Sequence, residues 1–209
     1  MAKTAAAIAG ATGLVGSRLL PLLLKEYDRV AALTRRPLAV SAPHLVEVPF
    51  GAPLEGPVAA AFCCLGTTIR KAGSQEAFRE VDFDAVVKFA RAAREAGATR
   101  FALVSSVGAD AKSSNFYLRV KGEGEDAICA LGFQSVCIAR PSFLLGERAE
   151  NRTGERIGIS VAKAVSFVFS GPLSKYHAVD ADLVAQAMVR CVRTGKPGVH
   201  ILHYRDLIS

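Results

Sequence analysis

Short apolar runs alternate with longer amphipathic stretches along the whole chain. The runs fall at Ala5–Ala9, Val30–Leu33, Leu45–Val48, Val58–Cys64, Phe101–Ser105, Ser135–Ala139 and Val199–His203, each the length of a buried strand. The stretches between them repeat with helical spacing. From Asp82 to Gly97, Val86, Phe89, Ala90 and Ala93 share one face and Asp84, Lys88, Arg91 and Glu95 the other, with Asp82 as N-cap and Gly97 as the stop. Similar helices are predicted from about Asn115 to Leu131 and from about Asp180 to Arg193. Another follows the first strand, where Pro21 removes a hydrogen bond and is expected to kink it. Seven strands alternating with helices predict an α/β fold built on a doubly wound parallel sheet. Ala5–Ala9 departs from propensity, because alanine favours helix and only the glycines behind it make the run a strand.

Those glycines carry the first chemistry. Gly10-Ala11-Thr12-Gly13-Leu14-Val15-Gly16 joins the first strand to the first helix, where glycines permit a tight turn and close approach of backbone N–H groups to a pyrophosphate at the helix N-terminus. An acid for the adenosine ribose is expected at the end of the second strand, yet the chain reads Leu33-Thr34-Arg35-Arg36-Pro37. Two guanidinium groups suit a ribose 2′-phosphate instead and point to NADP. The fourth run ends in Leu65-Gly66-Thr67-Thr68, a small residue and two hydroxyls where backbone passes close to the middle of a dinucleotide.

Composition adds limits. A length of 209 residues and 51% apolar content suit one globular domain over 1–209, too short for a cofactor domain plus a full second domain. Lysine and arginine exceed the acids by 26 − 19 = 7. Arg35, Arg36, Arg70, Lys71, Lys112 and Lys121 place much of that excess after strand ends, the ligand edge of such a sheet. A phosphorylated small ligand therefore accounts for the charge without nucleic acid. The five cysteines are an odd number with no CxxC, so neither a disulfide framework nor a zinc knuckle is indicated and a reducing cytosol fits. Cys63 and Cys64 read as buried hydrophobes. His200 and His203 would sit on opposite faces of one strand, and no metal site is expected. Glycines and Arg18 interrupt the N-terminal apolar stretch, so it reads neither as a secretory signal nor as a membrane span.

The central constellation is Ser105-Ser106 at the end of the fifth strand, followed by Tyr117 and Lys121 at i and i+4 on the next helix. Such a pair shares a helix face. A carbonyl reduction needs a proton donor at the substrate oxygen, and a phenol of ordinary pKa ~10 exchanges slowly unless a cation stabilises its phenolate. Lys121 is that cation, and it also reaches the nicotinamide ribose. A serine hydroxyl holds the oxygen while the cofactor delivers hydride. Strand alternation allows only one of Ser105 and Ser106 to face the cofactor.

With GATGLVG, FCCLGTT, VDFDAVVKFARAAREAGATRF, LVSSVGAD, SSNFYLRVKGEGE and IARPSFLLGER, the chain resembles the atypical short-chain dehydrogenase/reductases. Within them it resembles the branch around the Tat-interacting oxidoreductase-like protein. The resemblance implies a Rossmann domain with a short substrate cap near 143–178. It assigns Gly10, Gly13 and Gly16 to the dinucleotide, Arg35 to the 2′-phosphate, and Ser106, Tyr117 and Lys121 to catalysis. Arg140-Pro141-Ser142 resembles the segment lying against the nicotinamide. The chain after Pro141 is too brief for the substrate domain of the sugar-nucleotide epimerases. The expectation is an NADP-dependent reductase or dehydrogenase acting on a small carbonyl or alcohol; the alternative is a non-catalytic NADPH sensor. The charged stripe Asp84, Lys88, Arg91, Glu95 makes a poor obligate interface, so a monomer or weak homodimer is expected.

Overall fold

The computed structural model describes residues 4–145 and 177–209. Seven parallel strands form one sheet in the order β3-β2-β1-β4-β5-β6-β9. They are β1 (Ala5–Ala9), β2 (Arg29–Thr34), β3 (Leu45–Pro49), β4 (Ala60–Cys63), β5 (Arg100–Val104), β6 (Ser135–Ala139) and β9 (Gly198–Leu202). The order reverses between β1 and β4, and in an open α/β sheet the crevice at that reversal receives the ligand. This is a Rossmann-like fold.

The Ala-rich β1 is a strand because β2 and β4 flank it, pairing Ala7 with Ala31 on one side and with Ala61 on the other. All five of its residues are buried. Small side chains on both faces let helices lie close to the sheet centre, so tertiary burial overrides alanine's helix preference. On one face α1 (Leu14–Glu26) and α6 (Ala181–Thr194) bury Leu19, Leu23, Val184 and Met188 against Ile8 and Phe62. On the other, α4 (Ala85–Glu95) and α5 (Phe116–Cys129) bury Phe89, Ala93 and Ile128 against Phe101 and Ile138. Fully burying each large side chain contributes about 1.5–3 kcal/mol. Pro21 lies inside α1 at an exposed position, where the carbonyl it leaves unbonded can meet water.

Several expectations need correction. Asp82 is not an N-cap. Ser74 caps the helical run instead, its hydroxyl accepting Ala77 N–H at 3.1 Å. The run passes through α3 (Gln75–Arg79) and a π-helical turn (Glu80–Asp84) before α4, so Asp82 lies inside it and buried. Such turns often mark functional positions. His203 is not in a strand: it caps α7 (Tyr204–Ile208), its N–H bonding Asp206 Oδ2 at 2.9 Å. The charged stripe of α4 is exposed as expected. A short parallel pair absent from the strand pattern, β7 (Leu144–Leu145) with β8 (Val179–Asp180), joins the two described segments. The expected cap lies almost wholly in 146–176, outside the described residues.

Candidate functional site

The glycine turn builds its cradle by close backbone approach. Gly10 has φ +82°, and a Cβ on it would stand 2.6 Å from the Cys64 carbonyl. A Cβ on Gly16 would stand 2.0 Å from the Gly10 oxygen. Gly13 is the N-cap of α1 and makes no side-chain cap bond, so the first N–H groups of the helix remain directed at the crevice, the arrangement that receives an anion. Thr12 is exposed, Leu14 is half-buried and Val15 is in the core. These residues fit a dinucleotide pyrophosphate.

Arg35 and Arg36 follow β2 at the same carboxyl edge, exposed, with no ion pair among the described residues. Thr34 sets the turn that presents them, its hydroxyl accepting Arg36 N–H at 3.1 Å. After β4, Leu65 and Gly66 cross the crevice. The Thr67 backbone N–H bonds Asp82 Oδ2 at 2.9 Å, and the Thr68 hydroxyl caps α2 (Ile69–Ala72) by accepting Lys71 N–H at 3.1 Å.

Tyr117 and Lys121 stand on one face of α5, whose N-terminus opens at the carboxyl edge. Asn115 caps the helix, accepting Leu118 N–H at 3.1 Å. Gly122 lets it press on the loop after β5, since a Cβ there would lie 2.1 Å from Ala111 N. Tyr117 packs on the buried Phe78 of α3, ring centroids 5.5 Å apart. Lys121 is buried, and its ammonium lies 2.7 Å from Asp82 Oδ1. Burial alone would pull that ammonium down; Asp82, with Tyr117 adding to it, outweighs burial and raises it above the usual lysine value. A Cβ on Gly66 would come within 3.6 Å of Lys121 Nζ, so the β4 loop joins the glycine cradle to the Tyr–Lys helix.

Strand alternation carries Ser105 to the side of Phe101 and Leu103, the face that α5 covers. Its buried hydroxyl has no hydrogen-bond partner among the described residues. Ser106 is half-buried, its hydroxyl 3.4 Å from the Val107 carbonyl. The two hydroxyls thus have different surroundings at the end of β5, Ser105 buried and Ser106 half-buried. Pro141 is buried, and its carbonyl accepts Val107 N–H at 2.9 Å. The Ser142 hydroxyl donates to the His177 carbonyl. Cys63 is no nucleophile, because burial pushes its thiol up to about 12. All five cysteines are free, and the described residues hold no metal-ligand cluster.

Asp82 and Phe78 are the residues that pattern reading missed. The apolar stripe of α4, traced backward from Val86 in steps of four, passes through Asp82 and then Phe78. An acid on a buried stripe needs a partner, and Lys121 supplies it.

A family model described as NAD(P)H-binding matches residues 10–194. The fmp52 protein of Emericella nidulans, named mitochondrial, is 33% identical over 233 residues covering 97% of each chain. Rat HTATIP2 is 50% identical over 94 residues, 45% of this chain and 38% of its own. The epimerase acting on UDP-N-acetylglucosamine from Methanobrevibacter ruminantium superposes with a TM-score of 0.71 at 13% identity, covering 97% of this chain and 77% of its own. MoeE5, solved with UDP-glucose and NAD, gives 0.69 at 16%, covering 97% and 79%. These two show the fold alone. The resemblance to the Tat-interacting branch stands. The cytosolic location expected from the cysteines is corrected, since the relatives that span the chain are named mitochondrial. Free buried thiols separate reducing from oxidising surroundings and do not distinguish among reducing compartments.

Proposed function

Because the chain belongs to the NAD(P)H-binding family, within the atypical short-chain dehydrogenase/reductases, we propose that it is an NADP-dependent oxidoreductase acting on a small carbonyl or alcohol. The observation that carries this reading is the pair Tyr117 and Lys121 on one face of α5, linked through the Gly66 loop to the glycine cradle. The cradle and the α1 N-terminus hold the pyrophosphate. Arg35 and Arg36 hold the 2′-phosphate by charge-assisted bonds that a carboxylate at this place would oppose. The bound reduced nicotinamide supplies hydride. Tyr117 gives its proton to the substrate oxygen, and a hydroxyl at the end of β5, from Ser106 or Ser105, orients that oxygen. Lys121 holds its charge beside the phenol.

A panel of aldehydes, ketones and quinones tests the reading through NADPH oxidation. Tyr117→Phe removes the proton donor and leaves the cradle, so turnover should fall by about 10²–10⁴ while NADPH binding survives. Full activity in Tyr117→Phe would refute the mechanism. Tight NADPH binding with no oxidation across the panel would instead favour the non-catalytic sensor.

A further inference from the structure

The backbone around Tyr117 is pinned at three points. Asn115 Oδ1 accepts Leu118 N–H at 3.1 Å, the Leu118 carbonyl accepts Asp110 N–H at 3.1 Å, and the Arg119 guanidinium donates to the Ser113 carbonyl at 2.9 Å. The phenol is not pinned in that way, since its hydroxyl makes no hydrogen bond among the described residues. An aromatic side chain on a helix has two χ1 wells open to it, about 180° and about −60°, so α5 alone does not choose where the ring points. Contact has to choose. Phe78 of α3 lies against Tyr117, ring centroids 5.5 Å apart and planes at 46°, and meets Phe116 edge-on at 5.8 Å and 60°. Phe78 is 0% exposed, yet it belongs to neither apolar layer that covers the sheet; its ring contacts lie at the start of α5. One turn further along the same helical run, Asp82 Oδ1 lies 2.7 Å from Lys121 Nζ. Two residues four apart on that run thus meet two residues four apart on α5: Phe78 meets Tyr117, and Asp82 meets Lys121.

We propose that Phe78 is a positioning residue: its buried ring is the wall that keeps Tyr117 in one rotamer, with the phenol beside Lys121. The consequence for turnover rests on the oxidoreductase reading; the hold on the ring does not. Displacing a reacting group by about 1 Å costs up to about 10²-fold in rate, and a change of χ1 well moves a phenol hydroxyl further than that. A proton donor with no hydrogen bond of its own to orient it depends on such a wall, and a ring without freedom to move provides one.

Nuclear magnetic resonance of the full chain, isotope-labelled at tyrosine, reads the rotamer directly through the three-bond couplings from the ring Cγ to the backbone nitrogen and carbonyl carbon. Tyr117→Phe assigns the Tyr117 signals among the four tyrosines. The native chain should show the couplings of one staggered well. Phe78→Leu keeps an apolar side chain and removes the flat face, so the couplings should move toward the average of two wells. Phe116→Leu removes a neighbouring ring and leaves Phe78 against Tyr117, so the couplings should stay native. A native chain already averaged, unchanged couplings in Phe78→Leu, or equal averaging in Phe116→Leu overturns the proposal. A merely structural role for Phe78 would lower the melting temperature and leave the couplings of the folded chain in place. Should Phe78→Leu fail to fold, Phe78→Met, which retains more of the volume without the ring plane, is judged by the same couplings. With a carbonyl that the native chain reduces, Phe78→Leu should lower kcat about tenfold or more at unchanged Kd for NADPH, because the glycine cradle and α1 are left intact; an unchanged kcat overturns the positioning role. If the couplings respond as expected and the native chain reduces no carbonyl, the oxidoreductase reading falls while the hold on Tyr117 stands.

Discussion

Replacing Lys121 by Met isolates what the buried ion pair contributes to the fold. Methionine keeps most of the stem volume, so the loss is electrostatic and leaves no large cavity. Asp82, fully buried, would retain one partner, the Thr67 N–H. Removing one member of a buried pair costs about 3–5 kcal/mol, because the remaining charge stays out of water uncompensated. In a chain of this size about 1 kcal/mol moves Tm by about 2–4 °C, so Lys121→Met should melt about 6–20 °C below the native protein. Asp82→Leu combined with Lys121→Met removes both charges and should recover most of that loss. Circular dichroism during heating and urea titration at neutral pH provides the measurement. The pair also shapes the alkaline limb. Lys121 is raised in the folded chain, so its contribution is full below the ordinary lysine value of about 10.4 and is lost as pH rises through the folded value. The native protein should lose stability there, and Lys121→Met should lack that extra loss. A single variant that loses under about 1 kcal/mol, the range of exposed pairs, or a double variant no more stable than the single, would refute the reasoning.

Three further outcomes are expected. NADPH should bind more tightly than NADH by about 1.5–3 kcal/mol if one charge-assisted pair forms at the 2′-phosphate; calorimetric titration of Arg35→Ala should show that preference reduced, and equal affinities in the native protein would refute it. Gly16→Ala places a methyl 2.0 Å from the Gly10 oxygen and should abolish dinucleotide binding or folding, read by fluorescence titration and thermal melting. The exposed stripe Asp84, Lys88, Arg91, Glu95 should leave the chain a monomer or weak dimer; light scattering that finds a stable dimer at sub-micromolar concentration, lost on altering those charges, would contradict it.

What could be read along the chain was whatever depends on neighbours in sequence. The glycine turn, the Arg pair behind the second strand, the helix starts near Asn115 and Asp180 and the Tyr117–Lys121 spacing are each set within a few residues, where steric and periodic rules act. The strands were legible for the same reason: β1, β2, β4, β5 and β6 are buried and read as continuous apolar runs, and the edge strands β3 and β9, though largely exposed, still carry short apolar runs. Tertiary structure decided the rest through contacts between distant segments. Asp82 reads locally as an acid that starts a helix; only the packing of α5 across the sheet puts an ammonium against its carboxylate and makes it part of the site. Ala5–Ala9 is locally helical and is a strand because β2 and β4 supply its hydrogen bonds. His203 continues an apolar run in sequence, yet it turns away from β9 because Asp206 binds its N–H. The environment of each serine after β5 likewise depends on helix packing and loop course, which no run of residues around Ser105 and Ser106 encodes.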